Sequence, residues 1–131
     1  MLDALARALA DDPRLAYALV FGSSARGSAG ADSDLDVAVG LTAGVHLTAL
    51  DLGELASRLE DAAGRPVDLV LLDAAPPGLA YQVFCDGRPL VERDRRALVE
   101  RKAKAILEYL DFQPIEELCA RGVLAAAVRG R

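Results

Sequence analysis

Apolar residues recur along this chain in two periods, and the switch between them marks its elements. Leu2, Leu5 and Leu9 fall at helical spacing, which predicts a short amphipathic helix over 2–10, ended by Asp11, Asp12 and Pro13. Leu15 to Phe21 is an unbroken apolar run, the pattern of a fully buried strand. Gly22-Ser23-Ser24 breaks that strand, and Ser23 or Ser24 is placed to cap a short helix running through Arg26. Gly27 to Ser33 is small and polar, a loop. Leu35, Val37 and Val39 then alternate with Asp34, Asp36 and Ala38, as in a strand with two unlike faces.

The second half follows the same logic. Asp51 with Glu54 reads as a capping box, and Leu52, Leu55, Ala56 and Leu59 continue one helical face from it. Gly64 and Pro66 stop this helix. Val67 to Leu72 is a strand interrupted by one carboxylate, Asp68. Pro76-Pro77 opens a helix to about Cys85, Asp86-Gly87 turns it, and Pro89-Leu90-Val91 suits a short edge strand. Val99, Ala103, Ile106 and Leu110 mark a long helix over 94–111, and residues 114–131 read as a weaker helix interrupted by Gly122. The order α-β-α-β-α-β-α-β-α predicts one α/β (α+β) domain. Its core spans 1–92, and the C-terminal helices of 93–131 pack on that core or dock a partner.

Composition narrows the class. With 131 residues there is room for one core, and at 53% hydrophobic and 27% charged the chain is globular. Six aromatic residues in all leave Ala, Leu and Val to fill the interior. Fifteen basic against twenty acidic residues give a net charge of −5, which is not the footprint of a nucleic-acid binder. Cys85 and Cys119 lack metal or CxxC spacing and read as reduced thiols. No basic-then-apolar leader opens the chain and no apolar run is long enough to span a bilayer, so a cytoplasmic protein without membrane association is expected.

The chemistry lies in one spacing: Gly22-Ser23, ten residues, then Asp34-Leu35-Asp36. A Gly-Ser turn between a buried strand and a helix lets backbone amides approach a phosphate, and the Ser23 hydroxyl can add a hydrogen bond. Asp34 and Asp36, two apart on a strand, project from one face. Two adjacent carboxylates repel unless a cation lies between them, and such oxygen ligands suit Mg²⁺ completed by substrate phosphates. Asp68, one strand further on, joins them if its strand is the neighbour, and three carboxylates can hold two ions.

This arrangement resembles the DNA polymerase β-like nucleotidyltransferase superfamily, most closely its minimal (MNT-domain) branch. The matching residues are Gly22, Ser23, Arg26 and Gly27 in GSSARG, Asp34 and Asp36 in SDLDVAV, and Asp68 in PVDLVLL. The resemblance implies a nucleotidyltransferase fold, a small mixed β-sheet flanked by helices. It implies an antitoxin that transfers AMP from ATP to a tyrosine of a HEPN-domain toxin and so silences the toxin's ribonuclease activity. Carried over, Gly22 and Ser23 hold the triphosphate, Asp34 and Asp36 bind Mg²⁺, and Asp68 assists in metal binding or deprotonates the attacking hydroxyl. Arg26 contacts phosphate or braces the loop.

Other readings stay beside this one. A non-catalytic antitoxin would occlude the toxin and merely keep the nucleotide pocket; an aminoglycoside-type enzyme would modify a small molecule, which the short chain disfavours. His46, the sole histidine, reads as a solvated loop residue. Tyr81 and Tyr109 read as packing residues. Arg93, Arg95, Arg96, Arg101, Lys102 and Lys104, interleaved with acids, read as a solvated helix face rather than a docking surface.

Overall fold

A computed structural model describes residues 2–22 and 34–112. Ser23, Arg26, the short helix expected after Gly22, the loop over 27–33, Cys119 and the tail beyond residue 112 lie outside the described residues. Within them the order is α1 (Leu2–Ala10), β1 (Leu15–Phe21), β2 (Leu35–Leu41), α2 (Ala49–Ala63), β3 (Val67–Leu71), a 3-10 turn (Leu72–Ala74), α3 (Pro77–Asp86), β4 (Arg88–Glu92) and α4 (Arg95–Phe112).

The four strands form one mixed sheet in the order β3-β2-β1-β4. β1 runs antiparallel to both β2 and β4, while β2 and β3 are parallel and are joined through α2. All seven residues of β1 are buried, as expected of a central strand covered on both faces. β4 lies at the sheet edge, where Pro89 costs no interior ladder bond.

Period-two alternation sorts the strand side chains onto two helical layers. Leu15, Ala18, Val20, Leu35, Val37, Val39 and Val67 pack with Leu5 and Leu9 of α1 and Leu55 and Leu59 of α2. Ala16, Tyr17, Leu19, Phe21 and Ala38 face the other way, onto Ala80, Val83 and Phe84 of α3 and Leu98 and Ala105 of α4. Each fully buried leucine contributes roughly 2 kcal/mol from its removal from water.

The start of α2 differs from the expected one. Thr48 is the N-cap: its hydroxyl accepts from the Asp51 N–H at 3.1 Å, and the Asp51 carboxylate accepts from the Thr48 N–H at 2.9 Å. Asp51 is therefore the reciprocal member of the box, and the helix begins a turn before the Asp51–Glu54 pairing implied. Gly64 closes the same helix in the left-handed region, φ 73°.

A charged clamp holds the corner between α1 and β1. Buried Asp12 accepts from Arg14 at 2.9 and 2.7 Å and from Arg58 at 3.1 Å. Arg93 donates to the backbone carbonyls of Leu15, Ala10 and Asp12. Arg93 is thus a brace across three segments rather than part of a solvated helix face. Arg101 departs from that expectation too, with only 11% of its side chain exposed and its guanidinium donating to the Leu72 carbonyl at 3.0 Å. His46 is exposed, as expected. Tyr81 and Tyr109 stack with ring centroids 4.0 Å apart, joining α3 to α4.

Candidate active site

The site forms where β1 ends and β2 and β3 begin. In the antiparallel β1–β2 register Phe21 lies opposite Asp36, and in the parallel β2–β3 register Asp36 lies opposite Asp68. Hydrophobic burial fixes which way these carboxylates point. Leu35 and Val37 on β2, and Val67 and Leu69 on β3, are committed to the α1/α2 core. Asp36 and Asp68 therefore project from the opposite face, the one covered further along by α3 and α4. Asp34 immediately precedes β2 and is exposed, as is Asp68; Asp36 is half-buried.

The electrostatics agree with this placement. Burial raises the Asp36 pKa above the ordinary carboxylate range, and the neighbouring Asp68 and Asp34 charges raise it further. Asp36 thus feels both other aspartates that the sequence singled out.

Gly22 follows β1 directly with φ +70°, a backbone region that favours glycine. A β-carbon built there would stand 2.4 Å from Asp36 Oδ2. The turn and the acid are in direct contact, a relationship that the spacing of the two motifs did not disclose. Its only sequence signal is the glycine itself.

Among the described residues no three His, Cys, Asp or Glu side chains form a ready-made cation cage. The donor set still fits Mg²⁺. This ion commonly takes one or two carboxylates and completes its shell with water and phosphate oxygens, and a pair of hard, mutually repelling carboxylates offers that half-shell.

Comparison with known proteins follows the same outline. The polymerase beta nucleotidyltransferase family model matches residues 3–96. No curated protein matches. Among solved structures, a toxin–antitoxin crystallised with AMP-PNP is 27% identical with a TM-score of 0.73, covering 98% of each chain. A complex of a tri-AMPylated Shewanella oneidensis HEPN toxin with its MNT antitoxin is matched at 25% identity and a TM-score of 0.66, over 99% of this chain and 100% of that one. A structure described as a minimal nucleotidyltransferase is 37% identical with a TM-score of 0.54, over 67% of this chain and 87% of its own. No described helix is long and apolar enough to cross a membrane. The chain belongs to the polymerase beta nucleotidyltransferase family and, within it, is similar to the minimal members that serve as MNT antitoxins.

Proposed function

We propose that the chain is an antitoxin that transfers AMP from ATP to a hydroxyl, a tyrosine's, on a cognate HEPN toxin. The observation that carries this reading is the register of Asp36 with Asp68, with Gly22 against Asp36. The full-length likeness to toxin–antitoxin complexes, one with an ATP analogue and one with an AMPylated toxin, supplies the acceptor class.

The residues divide the work as follows. The Gly22 turn brings backbone close to the acids, so the triphosphate lies against Gly22 and Ser23, with Arg26 as a further phosphate contact. Asp34 and Asp36, with Asp68 beside them, hold Mg²⁺, which when bound supplies charge neutralisation of the phosphates. The acceptor oxygen attacks the α-phosphorus in line, the bond to the bridging oxygen breaks, and pyrophosphate leaves. The hydroxyl proton passes to Asp68, which is exposed and adjacent to Asp36.

Incubation with labelled ATP, Mg²⁺ and a cognate HEPN-domain protein, sought first in the adjacent reading frames, tests the reading. Covalent label on the partner is expected, and its loss in Asp34→Asn/Asp36→Asn. Label transfer that survives this double substitution would refute the mechanism; tight binding without label would leave a non-catalytic antitoxin.

A further inference from the structure

The positions that mark α4 as a helix are not its packed side. Leu98 and Ala105 are buried against the sheet, whereas Val99 is 55%, Leu107 63% and Leu110 37% exposed. Ala103 is exposed and Ile106 half-buried between them. Spacings of four, three, one and three residues place these five on one outward face. Of the large hydrophobic side chains exposed among the described residues, all but Leu50 lie on it. A contiguous apolar face of this kind marks an interaction surface.

At the start of the helix, Val99 borders a groove of about 200 Å³ lined by Leu19, Phe84 and Pro89, whose charged lining of Arg95 and Lys102 against the single acid Glu92 is net basic. The face also has a direction. α4 packs on the sheet face from which Asp36 and Asp68 project, so a body lying on α4 is on the same side of the sheet as the carboxylates. The toxin–antitoxin relatives match this chain nearly end to end, so their docking surface lies within the extent that the chains share.

We propose that the outward face of α4, with the groove at its N-terminal end, seats the acceptor protein whose hydroxyl receives AMP. The occupant presents an apolar ridge flanked by carboxylates that meet Arg95 and Lys102. This inference rests on the transfer reading for the acceptor's identity. It assigns α4 the task of holding the acceptor, separate from the chemistry at Asp36.

The test uses the full chain and the cognate HEPN-domain protein that the transfer reading requires. Val99→Glu/Leu107→Glu alters exposed positions only, and its thermal melt and ATP titration are expected to match wild type. Affinity for the HEPN protein by calorimetry should fall at least about tenfold, and the acceptor KM should rise while kcat at saturating acceptor is retained. Arg95→Glu/Lys102→Glu should weaken binding at low salt and flatten its salt dependence. Unchanged affinity in the first variant would overturn the proposal, and unchanged salt dependence in the second would overturn the carboxylate-flanked occupant. If sedimentation shows that wild type self-associates, and Val99→Glu/Leu107→Glu abolishes this without affecting the HEPN protein, a second copy is the occupant and the proposal fails. If wild type binds the HEPN protein but leaves it unlabelled, the transfer reading fails while calorimetry still decides the docking face.

Discussion

Gly22 lies against Asp36: a β-carbon at residue 22 would stand 2.4 Å from Asp36 Oδ2, so the carboxylate would have to move to admit it. The turn at Gly22 and Asp36 are therefore one structural unit. Gly22→Ala should displace the Asp36 carboxylate and strain a backbone at φ +70°. The strain alone costs about 1–2 kcal/mol. AMP transfer should fall at least about 100-fold, and a urea melt alongside the transfer assay will separate lost stability from lost chemistry.

Burial, and after it the charge of Asp68 across the parallel ladder and that of Asp34, raise the Asp36 pKa. Asp36→Asn or Asp68→Asn should leave the metal-free protein as stable as wild type, or more so by up to about 1 kcal/mol. Transfer should nonetheless drop about 100-fold, equivalent to roughly 2.7 kcal/mol of transition-state stabilisation. Melting curves in chelator, set beside rates in Mg²⁺, will show whether the two quantities move in opposite directions.

Asp12 sets an acid limit on stability. Hydrogen bonding from the Arg14 guanidinium, opposed by burial, lowers its pKa from the ordinary 3.8 to about 2. A depressed folded-state value means that its contribution is present above about pH 4 and is lost as the pH falls toward 2. Arg14 and Arg58 are 34% and 54% exposed, so solvent screening holds the contribution to about 1–2 kcal/mol. Asp36 works in the other direction, since a raised carboxylate pKa adds stability on acidification. Of urea midpoints at pH 7, 4 and 2.5, the steep decline for wild type should fall between pH 4 and 2.5, and Asp12→Asn should lose much of that step.

Arg93 lies far from the carboxylates along the sheet and donates to the carbonyls of Leu15, Ala10 and Asp12. Arg93→Ala should cost about 2 kcal/mol by leaving partly buried carbonyls unmet. ATP affinity should stay unchanged. Urea unfolding and nucleotide titration on one preparation will check both.

Much of the fold was legible because period and punctuation agreed. The fully apolar run of β1, the Gly64 stop and the edge position of β4 each follow from local chemistry. The start of α2 was displaced because Asp51 suits two roles in a capping box, and only the hydrogen bonds show that Thr48 is its partner. On α4 the apolar repeat marked a helix but not its buried side; Arg101, committed to the Leu72 carbonyl, turns the true face toward the sheet. For the site, the acid spacing was readable from sequence. The neighbourhood of Asp68 was not, because strand order is a non-local property. Ser23 and Arg26 lie outside the described residues and keep their roles as proposals.

The parallel pairing of β2 with β3 links the proposed site to apolar side chains buried on the opposite face of the sheet. Val67 and Leu69 reach the α1/α2 core only when Asp68 points to the sheet face that carries Asp36. A slip of one residue would turn Asp68 to the wrong side of the sheet while burying a carboxylate among leucines. A chain that folds with a sound core therefore also has these acids on one face, so quality control on the hydrophobic interior extends to the proposed site.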